Sequence, residues 1–141
     1  MNIAVKHLSY LEYFKDKDFP LEHEESKPSW ETVESAIRQM DNVLFPIVAL
    51  SCFDLSNQPE GFEDENSLNI IGGNGKYAIT HRYGEWQYEK KNGETQEVRL
   101  WESDQGYFCK EKNILVDIEE VLKFVKKYFE TGDYSQLSAL I

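Results

Sequence analysis

The stretch that decides the fold spans residues 68–79 and reads Leu-Asn-Ile-Ile-Gly-Gly-Asn-Gly-Lys-Tyr-Ala-Ile. Two short apolar segments flank an Asn-Gly pair, which is a strong signal for the two-residue turn of a β-hairpin. A glycine-rich run could also cradle a phosphate, but that requires a helix N-terminus directly behind the glycines. A strand-like segment follows here instead, so we predict a hairpin.

Strand-like segments continue on both sides of this hairpin. Downstream, Gly84, the pair Asn92-Gly93 and the triplet Asp104-Gln105-Gly106 separate segments that cover residues 76–83, 85–91, 94–101 and 107–110. Upstream, residues 45–53 form an almost wholly apolar run, which is typical of a strand buried at the centre of a sheet. These signals predict a twisted antiparallel sheet, a meander of about five to six strands.

Two capped helices complete the pattern. Ser29 can cap a helix over Trp30–Met40, and Asp117 can cap a second one over Ile118–Thr131, which would end at Gly132. Residues 2–14 are compatible with a strand, whereas residues 15–27 are charged and turn-prone and are predicted as a connecting segment. We therefore predict a single α+β domain over residues 1–141, with both helices packed on the sheet and Trp30 in the core.

Composition restricts the partners and the compartment. The chain has 26 acidic and 15 basic residues, which give a net charge of −11. Such a charge repels nucleic-acid backbones and anionic membrane surfaces, so we expect neither as a partner. We find no signal-peptide pattern and no apolar run of membrane-spanning length, and the two cysteines, Cys52 and Cys109, are expected to be reduced. These features favour a cytoplasmic protein.

The acidic residues are unevenly distributed. Between Arg38 and Lys76 the chain has no lysine or arginine but has six carboxylates. Such an interval can be a solvated loop, or it can attract a cationic partner through its summed charge. As candidate partner-binding residues of this segment we take Asp54, Glu60, Glu63, Asp64 and Glu65.

Three aromatic residues form a second candidate surface. Trp86 and Tyr88 alternate along one predicted strand and therefore point to the same face, and Trp101 lies on the predicted neighbouring strand. If a helix covers that face, these residues belong to the core. If the face is open, they could anchor a protein contact.

No pattern of residues indicates a reaction centre. His7, His23 and His81 lack partners at metal-ligand spacing, so no metal site is predicted. Cys52 or Cys109 could be paired with His81, but apolar strand surroundings favour inert thiols. Carboxylate pairs are inevitable among 26 acidic residues and carry no information without geometry. We predict no catalytic residue and no cofactor.

Three segments carry a resemblance to a known family. They are residues 28–37 (Pro-Ser-Trp-Glu-Thr-Val-Glu-Ser-Ala-Ile), the hairpin at 68–79, and residues 121–133 (Val-Leu-Lys-Phe-Val-Lys-Lys-Tyr-Phe-Glu-Thr-Gly-Asp). In this order the chain resembles the small immunity proteins of bacterial polymorphic-toxin systems, and in particular the α+β family usually listed first among them. The resemblance implies a non-enzymatic protein that binds and blocks a cognate toxin, often a nuclease or a deaminase.

Three functional classes remain open at this point. The first is an inhibitor whose loop over Asp54–Glu65 enters the basic, substrate-binding cleft of a cationic toxin. The second is a small-ligand-binding or enzymatic domain, in which a helix lies across a curved sheet and His81 and Tyr77 line a pocket. The third is a subunit of a homo-oligomer or of a larger assembly that uses an exposed face of the meander, which a large apolar patch would favour.

Overall fold

The computed structural model describes residues 3–14, 17–81, 85–86, 88–90, 92–101 and 107–133. These residues form an α+β fold with a six-stranded antiparallel sheet, two helices and a separate two-stranded ribbon, which confirms the predicted fold class. The strands of the sheet are β1 His7–Glu12, β2 Leu21–Ser26, β3 Ile47–Ser51, β4 Leu68–Gly73, β5 Lys76–His81 and β6 Glu85–Trp86. The ribbon consists of β7 Glu97–Trp101 and β8 Tyr107–Lys110, and the helices are α1 Trp30–Arg38 and α2 Ile118–Thr131.

The order of strands across the sheet is β2-β1-β3-β4-β5-β6. The apolar strand β3 therefore lies near the centre, as predicted. Because β1 lies between β2 and β3, the chain leaves the sheet at β2, passes through α1 and re-enters on the other side of β1. The segment at residues 15–27, predicted as a connection, contains the edge strand β2, so that prediction is wrong. An edge strand has charged side chains facing water and therefore lacks the apolar signal of an inner strand.

The β4–β5 hairpin has the predicted turn. Asn74 and Gly75 both have positive φ angles, 53° and 85°, which is the geometry that an Asn-Gly turn requires. Gly73, at the end of β4, has a φ of 135°, and a Cβ at this position would lie 2.5 Å from the backbone nitrogen of Asp41. Glycine is therefore required where the hairpin meets the segment after α1.

Local capping determines where the helices begin and end. The hydroxyl of Ser29 accepts a hydrogen bond from the backbone N–H of Thr32 at 3.2 Å, and α1 ends at Arg38, two residues before the predicted end. A carboxylate oxygen of Asp117 accepts from the backbone N–H of Glu119 at 2.9 Å. Gly132 ends α2 in the left-handed conformation, with a φ of 69°.

The main core lies between the two helices and one face of the sheet. Val33, Ile37, Val125 and Tyr128 are fully buried there, against sheet residues such as Ile70. Trp30 is only partly buried at the margin of this core, and its ring centroid lies 5.5 Å from that of Phe129. The expectation that Trp30 belongs to the core is therefore corrected to a partly buried position at its margin.

The ribbon covers the opposite face of the sheet at β4 and β5. Leu100, Cys109 and Ile114 form a second, smaller core there with Ile71 and Ala78. The predicted meander thus ends at β6, because β7 pairs with β8 and not with β6. Burial of the second apolar cluster explains why the chain crosses to this face.

In the part of the chain that the structure describes, no helix is both long and apolar enough to cross a membrane.

Candidate protein-binding surface

Asp64 is an anchor of the acidic loop. One of its carboxylate oxygens accepts hydrogen bonds from the hydroxyl of Ser51 at 2.6 Å and from the backbone N–H of Cys52 at 3.3 Å. The other oxygen accepts from the backbone N–H of Asn66 at 2.9 Å. These bonds fasten the C-terminal part of the loop to the end of β3. The role that the geometry gives Asp64 is therefore structural.

Asp54 anchors the other end of the loop. Its carboxylate caps the short 3₁₀ turn at Leu55–Asn57, accepting from the hydroxyl of Ser56 at 2.6 Å and from its N–H at 3.2 Å. It also accepts from the hydroxyl of Ser26 at 3.0 Å, which links the loop to the end of β2. The bond from the Ser56 hydroxyl is the main reason why the pKa of Asp54 lies below its usual range.

The other three predicted contact residues of the loop, Glu60, Glu63 and Glu65, are exposed to solvent. The five predicted carboxylates therefore divide into two anchors and three side chains on the surface. The side chains of the exposed group lie where a partner could reach them.

Two aromatic residues of the same loop were missed by the sequence analysis. Phe53 is 45% exposed and Phe62 is 36% exposed, and their rings meet edge to face with centroids 5.1 Å apart. Leu55, between them in the chain, is 38% exposed. For Phe62, the signal that could have identified it is an apolar residue among carboxylates in a predicted loop, where water would otherwise favour polar side chains. Phe53 was predicted within the buried strand at residues 45–53, but β3 ends at Ser51 and leaves it exposed.

The edge strand β2 contributes a second acidic segment, which the sequence analysis also missed. Glu22 and Glu24 alternate along β2 and share one face of the sheet, whereas Glu25 lies on the other face. Burial raises the pKa of Glu22, and the neighbouring carboxylate of Glu24 raises it further. The two carboxylates are therefore crowded. Exposed glutamates alternating with Leu21 and His23 give the period of two that could have revealed this strand.

His7 joins the two acidic segments. Its side chain is only 2% exposed, and its Nε2 atom lies 3.0 Å from a carboxylate oxygen of Glu24. The Nδ1 atom lies 3.5 Å from a carboxylate oxygen of Asp54. β2 and the acidic loop therefore meet around His7 and at the Ser26–Asp54 hydrogen bond. We call Glu22 and Glu24 together with Glu60, Glu63 and Glu65 the acidic surface.

The predicted aromatic surface is only partly described. Tyr88 is partly buried, its ring meets that of Phe124 edge to face at 6.0 Å, and burial raises the pKa of its hydroxyl. Tyr88 therefore packs against the main core, the first of the two alternatives. The side chains of Trp86 and Trp101 lie outside the described part of the structure. Their backbones belong to β6 and β7, which are in different sheets, so the expectation that these strands are neighbours is wrong.

The residues considered for chemistry are mostly in the interior. Tyr77 and His81 are 4% and 7% exposed. A surface cavity of about 390 Å³ lies beside the ribbon, where residues such as Glu97, Phe108 and Lys112 line it instead of that pair. Cys52 and Cys109 are free and belong to different cores. Among the described residues, no group of three or more histidine, cysteine, aspartate or glutamate side chains is placed to hold a metal ion.

Comparison with known proteins informs the fold alone. No protein-family model and no curated protein sequence matches the chain. The fold is similar to the crystal structure of a hypothetical protein from Neisseria gonorrhoeae, with a TM-score of 0.59 and 9% sequence identity. That alignment covers 93% of this chain and 92% of the other one. A similar fold therefore occurs in a protein of very different sequence.

Proposed function

We propose that this protein is an inhibitor that binds a cationic toxin domain through its acidic surface, in the manner of bacterial immunity proteins. The observation that carries the proposal is that some carboxylates of the acidic loop anchor it, whereas others are exposed. Asp54 and Asp64 hold both ends of the loop, while Glu60, Glu63 and Glu65 are exposed between or beside them. A loop that is already ordered loses less conformational entropy when a partner binds.

The proposed mechanism is occlusion of a basic cleft. A nuclease or nucleic-acid deaminase needs a cationic cleft for phosphates, and exposed carboxylates can occupy the same positions. The net charge of −11 accelerates the encounter with such a cleft through long-range attraction. Inhibition of this kind requires no catalytic group and no cofactor on the inhibitor. In this proposal the protein acts in the cytoplasm, where it shields the cell that makes the toxin.

The exposed aromatic pair adds an apolar contact to the charged one. Phe53 and Phe62 lie in the same loop as the exposed glutamates, and their rings support each other. Aromatic side chains surrounded by polar residues are frequent anchors of protein interfaces. Charge would thus determine the approach of the toxin, and the pair Phe53–Phe62 would contribute to slow dissociation.

The test is a protection assay with a matched charge control. Cells would co-express this protein with the C-terminal domain of a large secreted protein encoded by a neighbouring gene. The triple variant Glu60→Gln, Glu63→Gln and Glu65→Gln should lose protection and should associate with the purified toxin domain at least tenfold more slowly at low salt. The control variant Glu31→Gln, Glu97→Gln and Glu119→Gln removes three exposed charges elsewhere and should protect like the wild type.

Two outcomes would overturn the proposal. If the triple loop variant is folded and protects as well as the wild type, the loop is not the interface. If the wild type itself neither binds nor protects against any such toxin domain, the functional class is wrong. Circular dichroism of both variants separates loss of binding from loss of fold.

A further inference from the structure

We infer that the outer edge of β2 receives an extended, lysine- or arginine-bearing segment of the partner protein, which adds to the sheet as a further strand. This inference rests on the proposed function, because it states how a cationic partner would bind. Addition of a strand to an open sheet edge is a recurrent mode of peptide recognition, since main-chain hydrogen bonds supply the affinity.

The register of β1 and β2 shows which backbone groups face outward. His7 is opposite Ser26, and in the next pair the N–H of Lys27 donates to the carbonyl of Lys6 at 2.8 Å. Hydrogen-bonded and non-hydrogen-bonded pairs alternate along antiparallel strands. Leu21, His23 and Glu25 therefore direct their backbone groups toward β1, while Glu22, Glu24 and Ser26 direct theirs outward. Within the described residues, no strand flanks β2 on that side.

The edge is both accessible and firmly held. Every residue of β2 except His23 is exposed. The His23 ring stacks on Tyr10 with centroids 4.7 Å apart, and its Nε2 atom lies 2.9 Å from a carboxylate oxygen of Glu12. Glu24 is held by His7 in the same way on the other face. These contacts fix β2 on β1, so a partner strand would meet an ordered template. The opposite edge strand, β6, has two residues and offers a much shorter template.

Charge decides between the possible occupants of this edge. A second copy of the chain would bring Glu22, Glu24 and Glu25 against the same residues, and like charges on neighbouring strands are destabilising. A cationic segment has the opposite effect, because lysine or arginine side chains on the Glu22–Glu24 face would relieve the crowding of these two carboxylates. The occupant that fits is therefore a basic extended segment of another protein.

The first experiment is an NMR titration of the full-length, ¹⁵N-labelled protein with two synthetic peptides. One is a capped peptide of alternating lysine and valine, and the control alternates lysine and proline. Both carry the same charge, but proline cannot donate the hydrogen bonds of a strand. With the lysine–valine peptide, the amides of Glu22, Glu24 and Ser26 should shift and exchange with solvent at least tenfold more slowly. The lysine–proline peptide should leave their exchange unchanged.

A pair of variants at one position sharpens the test. Glu22→Pro removes an outward donor at an edge position that tolerates proline, and Glu22→Gln removes the same charge but keeps the donor. The proline variant should lose the slowed exchange at Glu24 and Ser26, whereas the glutamine variant should retain it with a weaker affinity. The wild-type β1–β2 pairing should persist in both, as judged by the amides of His23 and Glu25.

The outcomes separate this inference from the proposed function. Equal responses to both peptides, or shifts confined to residues 54–65, would overturn strand addition while leaving a cation-binding surface. If neither peptide shifts any residue of the acidic surface at low salt, both the inference and the cationic-partner function are contradicted.

Discussion

Replacing Asp64 with alanine tests whether the acidic loop is anchored as described. The change removes the carboxylate of Asp64. Three donors then lose their acceptor: the hydroxyl of Ser51 and the backbone N–H groups of Cys52 and Asn66. A hydrogen bond to a charged group makes a net contribution of about 1.5–3 kcal/mol to the free energy of unfolding. Because Asp64 is partly exposed, water can replace part of these bonds. Water has the least access to the hydroxyl of Ser51, because this residue is only 2% exposed.

We expect Asp64→Ala to lower the free energy of unfolding by about 2–4 kcal/mol. For a domain of this size that corresponds to a fall in Tm of roughly 7–14 °C. Asp64→Asn keeps one acceptor oxygen and the side-chain size, so it should lose about half as much. Glu60→Gln, at an exposed position of the same loop, serves as the control and should change stability by less than about 0.5 kcal/mol.

The assay is urea denaturation followed by circular dichroism, with Tm from calorimetry. A midpoint for Asp64→Ala within 1 °C of the Glu60→Gln control would refute the reasoning, because the hydrogen bonds would then contribute nothing measurable. The result also affects the protection assay. A variant that changes Asp64 along with the exposed glutamates would confuse loss of the loop's structure with loss of its contacts, which is why Asp64 is left intact there.

Three further predictions concern the fold. Trp30→Ala should lower the free energy of unfolding by about 1–3 kcal/mol. This is less than the loss expected for a fully buried aromatic residue, because the ring lies at the margin of the core. A loss above about 4 kcal/mol in urea denaturation would contradict this prediction. Gly73→Ala should cost more than about 2 kcal/mol, since a Cβ would lie 2.5 Å from the Asp41 nitrogen, and an unchanged Tm would show that the contact relaxes freely. Burial raises the pKa of Cys109 to about 12. Iodoacetamide at pH 8 should therefore leave Cys109 unmodified until the protein unfolds, and the reactivity of this thiol should increase with pH. Rapid labelling of Cys109 in the native protein, detected by mass spectrometry, would argue against this burial.

The parts of the fold that sequence predicted correctly are those determined by neighbouring residues. The Asn74-Gly75 turn, the caps at Ser29 and Asp117 and the end of α2 at Gly132 each depend on a few consecutive residues. The strand β2 was missed because its exposed side chains carry no apolar signal. The ribbon was placed in the wrong sheet because its position depends on Leu100 and Cys109 packing against distant residues of β4 and β5.

The same distinction applies to the acidic surface. The interval without lysine or arginine was visible in the sequence, and three of its glutamates are exposed to solvent. The structural roles of Asp54 and Asp64 were not visible, because their partners Ser26 and Ser51 are 28 and 13 residues away in the chain. Composition can thus identify an acidic loop, but tertiary contacts decide which of its carboxylates hold the loop in place.

Anchoring also has an energetic role in the proposed function. A loop without anchors would have to be ordered when a partner binds, and that ordering would cost conformational entropy. Here Asp54 and Asp64 hold the loop, and the hydroxyl of Tyr128 donates to the carbonyl of Asn66 at its far end. A cationic partner would then meet Glu60, Glu63 and Glu65 on a loop that is already held in place. The folding energy that holds the loop would contribute to affinity, because binding would not have to order the chain.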